Sequence, residues 1–161
     1  GKRGLFSSGF DGSFYALEKY ACEKQGLKMV DFVITSREVP IKERVLGARD
    51  LFESIEYPAL MHCKSGADRA GIMSVFYAHY RLGLPIREAM KQLGPRYLHI
   101  RHGNTGVLDY VFEQYLERGE PKGLTFSEWV ESDDYDPVAM KKTFRAGMLG
   151  KVLTDRILRR E

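Results

Sequence analysis

Tyr57-Pro58-Ala59-Leu60-Met61-His62-Cys63-Lys64-Ser65-Gly66-Ala67-Asp68-Arg69-Ala70-Gly71-Ile72 is the stretch on which the reading of this chain turns. Residues 57–63 are short, apolar and led by a proline, which reads as a buried strand ending at His62 or Cys63. Lys64 to Arg69 form a tight polar loop around Gly66. Beyond it Ile72, Val75, Phe76 and Leu82 recur at helical spacing. The order is strand, glycine-containing loop, helix.

That order places a cysteine where backbone physics favours anions. The first N–H groups of a helix lack intrahelical partners, and the helix dipole adds about +0.5 charge at the same end. An oxyanion is favoured there, and so is a thiolate. Gly66 permits a backbone turn that a side chain would obstruct. Arg69, six residues after Cys63, carries a planar fork suited to two phosphate oxygens. The loop therefore supplies a nucleophile and a phosphate cradle together. A phosphoryl group can pass to sulfur and then to water. A core cysteine following a strand needs neither the glycine nor the arginine.

The rest of the chain surrounds this unit with alternating elements. Residues 1–12, GKRGLFSSGFDG, read as a loose leader, with Leu5–Phe6 a candidate for part of a further strand. A helix is expected from Ser13, with Phe14, Leu17 and Ala21 on its inward face and Gly26 at its end. Residues 27–35 read as a strand. Ile41, Val45, Ala48, Phe52 and Ile55 mark one face of a helix led by Pro40. After the loop-bearing helix come a short helix over 85–94, a basic loop over 96–105 and a helix over 107–119. Short helices at TFSEWVES and PVAMKKTFR follow, then a basic amphipathic one at the end. The expected class is α/β, a small, mainly parallel sheet flanked by helices, with the phosphate-binding loop between strand and helix. One domain is expected over 1–161, with 120–161 as a C-terminal helical layer anchored by Trp129 and Phe126.

Composition agrees with an ordinary globular chain. Of 161 residues, 43% are hydrophobic and 29% charged, a balance that excludes intrinsic disorder. A net charge of +3 is too small to argue for a nucleic-acid partner. No apolar run is long enough to span a bilayer, and no secretory signal is read at the start. Two cysteines, Cys22 and Cys63, make no disulfide framework and no zinc motif, which suits a reducing, cytoplasmic setting. No metal or other cofactor is expected.

The run His62-Cys63-Lys64-Ser65-Gly66-Ala67-Asp68-Arg69 resembles the His-Cys-five residues-Arg signature of the cysteine-dependent protein tyrosine and dual-specificity phosphatases, and is most similar to their small, bacterial-type members. The resemblance covers the organisation of residues 27–118. It implies a metal-independent phosphomonoester hydrolase working through phosphocysteine, with Cys63 as nucleophile and Arg69 as phosphate clamp. It further implies that His62 braces the loop and that the N–H groups of Lys64, Ser65, Gly66, Ala67, Asp68 and Arg69 bind phosphate. Two positions depart from the pattern. Ala70 stands where the family usually has Ser or Thr. The loop Ser36-Arg37-Glu38-Val39-Pro40 lacks the family's upstream Asp, and Asp31 sits within the strand before it. Asp68 is then the leading candidate for general acid, in a Gly-x-Asp-Arg arrangement similar to that of myotubularin-type lipid phosphatases, with Glu38 second. Its alternative role is to pair with a neighbouring cation as scaffold.

Arg37 and Arg101 are candidate substrate contacts, and His99 a candidate proton donor in a loop otherwise read as basic and solvated. Asn104 and Gln114 are candidates for holding the hydrolytic water or bracing the loop. His79 and Cys22 read as packed core groups. Expected partners are a phosphorylated protein or a phosphorylated small molecule or lipid. Lys64 and Ser65, similar to the tensin-type lipid phosphatase loop, favour an inositol phosphate or phosphoinositide as the alternative substrate. A phosphate-binding module with weak turnover is the non-enzymatic alternative. The last helix, with Leu149, Val152, Leu153 and Ile157 on one side and Lys151, Arg156, Arg159 and Arg160 as charge, is expected to pack on its own domain, with weak membrane-surface contact as the alternative.

Overall fold

The computed structural model describes the backbone of residues 4–7 and 12–158 and the side chains of residues 14–148. The remaining residues of the leader, 1–3 and 8–11, and the basic side chains from Leu149 onward lie outside that range. Helices greatly outweigh strands. Three short strands, β1 (Gly4–Ser7), β2 (Lys28–Asp31) and β3 (Ala59–Met61), pair in the order β2-β1-β3. The register sets Phe6 opposite Val30 on one side and Met61 on the other, with both pairs parallel. Part of the expected leader is thus the central strand. Leu5–Phe6, read as part of a further strand, lies within it.

Helix α1 (Gly12–Lys24) crosses from β1 to β2, and α2 (Lys42–Ser54) precedes β3. Val45, Ala48 and Phe52 of α2 are buried as their spacing requires, while Ile41 at its N-cap is half exposed. The inward face of α1 is a correction. Phe14, Leu17 and Ala21 are exposed, and the face turned inward carries Tyr15, Glu18 and Cys22. Tyr15 donates to Asp31 at 2.5 Å, and Glu18 pairs with His62. Both triplets step by three and four residues, so periodicity alone could not choose between them. The strand over 57–63 is also corrected: only residues 59–61 are strand, and Leu60 is 62% exposed. β2 likewise stops at Asp31, four residues short of the expected end.

The core lies on the helical side. Helix α3 (Asp68–Phe76) continues as a wider turn over Tyr77–Arg81 and ends at Gly83. It buries Ile72, Val75 and Phe76 completely. Phe76 meets Phe112 of α5 (Val107–Gln114) edge-on at 5.8 Å, and Phe126 of α6 (Phe126–Glu131) lies 6.3 Å away. Trp129 stacks beside Phe126 and meets Tyr135 edge-on, whose hydroxyl donates to the Pro40 carbonyl at 2.6 Å. That bond ties the C-terminal layer to the loop before α2. His79 packs against Phe126, half-buried, and holds the Leu84 carbonyl with Nδ1, a packed histidine as expected; Cys22 is a buried free thiol.

The segment over 85–94 forms α4 (Ile86–Ala89) and a tighter turn through Gln92. Residues 137–158 form one helix, α7, where two were expected. Its start is well specified: Asp136 accepts the N–H groups of Val138 and Ala139, with Pro137 in the first turn. Gly147 lies inside this helix, where a glycine costs only about 1 kcal/mol. Met140 is buried and Phe144 packs on Tyr110 of α5, so the first turns of α7 lie against α5. Among the described residues no helix is long and apolar enough to cross a membrane.

Candidate functional site

The loop follows from three local choices. The chain leaves β3 at Met61, and α3 begins at Asp68. Between them Gly66 takes φ +72°, where a side chain is strained even though the space around it is open. Ala67 then packs inward, and its carbonyl accepts the Gly71 N–H at 2.8 Å, closing the first turn of α3. A Cβ on Gly71 would come 2.9 Å from Leu93, so this glycine lets the helix lie against the segment after α4. Lys64, Ser65 and Gly66 are exposed, while His62, Cys63, Asp68 and Arg69 are half-buried. Cys63 is a free thiol.

Each end of the loop is held by a histidine. At the start, His62 pairs through Nε2 with Glu18 of α1. At the end, Asp68 Oδ1 lies 2.8 Å from His99 Nδ1, and His99 Nε2 lies 2.7 Å from Asp109 Oδ2. His99 is 1% exposed and Asp109 is 4% exposed, whereas a quarter of the Asp68 side chain remains open to solvent. Burial opposes a charge on His99, but hydrogen bonds to Asp109 and Asp68 outweigh it and hold its pKa above the usual imidazole value. When protonated, the ring donates from both nitrogens, one to each carboxylate.

The backbone shows how His99 comes to be inside. Leu98 has φ +61°, a left-handed conformation costly for a branched side chain, and its side chain is 75% exposed. That reversal turns the next residue inward, and the His99 N–H closes back on the Gly94 carbonyl. The strand of loop beyond it folds tightly. A Cβ on Gly106 would lie 2.1 Å from the Arg101 carbonyl oxygen, so only glycine fits there.

The other sequence candidates separate from this cluster in what they hold. Arg101 is exposed and pairs with Glu113. Glu38 pairs with Lys141 of α7 and lines a 610 Å³ cavity with Arg44, Lys142 and Arg145. Arg37 is exposed on the loop between β2 and α2. Gln114 is buried and donates to Glu117 in the wider turn that follows α5, and Asn104 is exposed. Among the expected loop cations His99 is the exception that is buried. Glu18 and Asp109 were missed. The signal for Asp109 was present, a carboxylate on the apolar 107–112 face of α5, which demands a buried partner. Among the described residues no group of His, Cys, Asp or Glu is arranged to hold a metal ion.

No protein-family model matches the chain, and no curated protein matches it significantly. Among solved structures, the fold is similar to that of the protein tyrosine phosphatase Tk-PTP. The active form of Tk-PTP aligns at a TM-score of 0.50 and 22% identity, over 73% of this chain and 79% of that one. A glycine-to-alanine mutant form aligns at 0.50 and 23%, over 72% and 79%.

Proposed function

We propose that this chain is a cysteine-dependent phosphomonoester hydrolase of the protein tyrosine and dual-specificity kind. The observation that carries the reading is the join of β3 to α3. Cys63 follows β3 and Arg69 sits in the first turn of α3, on either side of a loop that turns at Gly66. The likeness to Tk-PTP supports it at the level of fold.

In this reading the Cys63 thiolate attacks phosphorus and the ester oxygen leaves. Arg69 and the N–H groups of residues 64–69 hold the three remaining phosphoryl oxygens. Water then attacks phosphorus, the S–P bond breaks, and phosphate and the thiolate are released. Nucleophile and cation both come from the loop, so the chemistry needs no metal. Asp68 is the proton donor to the leaving oxygen through Oδ2, since Oδ1 is engaged by His99. Good aryl leaving groups need no such donor, while poor ones do. Ala70 gives no hydroxyl to the departing sulfur, which makes hydrolysis of phosphocysteine the slow step.

The substrate in this reading is a phosphorylated protein. A second reading, an inositol phosphate or phosphoinositide, draws on Lys64, which stands exposed in the loop and can meet another phosphate. The test is rapid-mix hydrolysis of a small aryl phosphate with chelator present. Turnover that is lost in Cys63→Ser, with a burst in the wild type that Ala70→Ser removes, is the expected result. Absence of turnover and burst with retained phosphate binding makes the chain a binding module instead.

A further inference from the structure

A loop built to receive a phosphate dianion carries a carboxylate, Asp68, directly before its arginine. That carboxylate repels the ligand unless something cancels its charge. Among the described residues, His99 is the buried group placed to supply that charge. His99 bridges Asp68 of α3 and Asp109 of α5 at 2.8 and 2.7 Å, while itself almost wholly sealed from solvent. With the imidazolium present, the three side chains sum to one negative charge. Without its proton they sum to two.

We propose that His99 is the charge-setting residue of the loop: its imidazolium, fixed by Asp109, offsets Asp68, and deprotonation of His99 weakens binding of doubly charged oxyanions at residues 62–69. This rests on the phosphate-loop reading of those residues. The other charged groups around His99 are Lys91, Arg101 and His102, which line the same 430 Å³ cavity, and Arg69, which follows Asp68. Lys91 is engaged by Glu88 and Arg101 by Glu113, and His102 is exposed. Burial strengthens the link, because charges close together in a poorly screened site interact more strongly than surface pairs do. His99 acts through Asp68 and is a positioning residue.

The experiment uses sulfate, whose charge stays fixed between pH 6 and 9, and the Cys63→Ser chain, which removes the titrating thiol. Sulfate affinity is measured calorimetrically across that range while the His99 ring is titrated by NMR, its signal assigned with His99→Gln. The sulfate Kd is expected to rise about tenfold with a midpoint equal to that of His99. Asp109→Asn should move both midpoints to lower pH together. His99→Gln should give a Kd that is independent of pH and as weak as the alkaline value, which decides the matter if Asp109→Asn does not fold. A flat Kd while His99 titrates overturns the inference and leaves the phosphate loop standing. No sulfate binding at any pH overturns the phosphate-loop reading, and this inference with it.

Discussion

The two ends of the loop carry the same pair of residue types, histidine and carboxylate, in different surroundings. At the start, His62 and Glu18 meet with both side chains partly open to water. At the end, His99 is enclosed between Asp68 and Asp109 with almost no exposure. A pair whose side chains stay partly open to water contributes less than a sealed one, because water still solvates its members. A buried one stands on balanced desolvation and attraction, so removing one member leaves a charge with nowhere to go. The first end of the loop is tethered, and the second is locked.

That contrast can be broken with single substitutions. The largest effect is expected from Asp109→Ala, which strips His99 of one carboxylate and opens a polar hole. It should cost about 3 kcal/mol in urea unfolding. A loss below 1 kcal/mol would show that the end of the loop is no more locked than its start. Gly66→Ala, between the two ends, should cost about 1–2 kcal/mol from the left-handed backbone alone, since the space around it is open. Equal urea midpoints for the two chains would mean that the loop relaxes to another turn. The smallest effect is expected from Glu18→Gln, under about 1 kcal/mol and smaller still in high salt.

Proton linkage sharpens the same comparison. His99 has its pKa raised in the folded chain. The stability this contributes is fully present below the unfolded imidazole value of ~6.5. It is lost as pH rises through the higher folded value. Thermal midpoints of the wild type should therefore fall on the alkaline side of ~6.5, and those of His99→Gln should fall less. Parallel curves for the two chains would show that the fall arises elsewhere.

Much of the architecture around the loop was legible. Val45, Ala48 and Phe52 were read from their spacing and are buried, as are Ile72, Val75 and Phe76. Each is an apolar residue whose period leaves one inward choice. Where two faces of one helix share the same period, as with Phe14, Leu17 and Ala21 against Tyr15, Glu18 and Cys22, the sequence offered no way to choose. The choice fell to Asp31 and His62, which give the polar face its partners. β1 was legible only in part: Leu5–Phe6 was read as a piece of a further strand, but four residues among glycines and serines are too few to show alternation or to mark its bounds.

By itself the sequence determined the order of strand, turn at Gly66 and helix, and the six-residue interval from Cys63 to Arg69. All of these are settled by neighbours along the chain, through backbone sterics and helix termini. Only the tertiary structure decided that Asp68 meets His99, 31 positions away, and that His99 meets Asp109. That meeting depends on the reversal at Leu98 and on α5 packing beside α3. Desolvation then makes the pairing obligatory, because a buried charge holds only where opposite charges reach it.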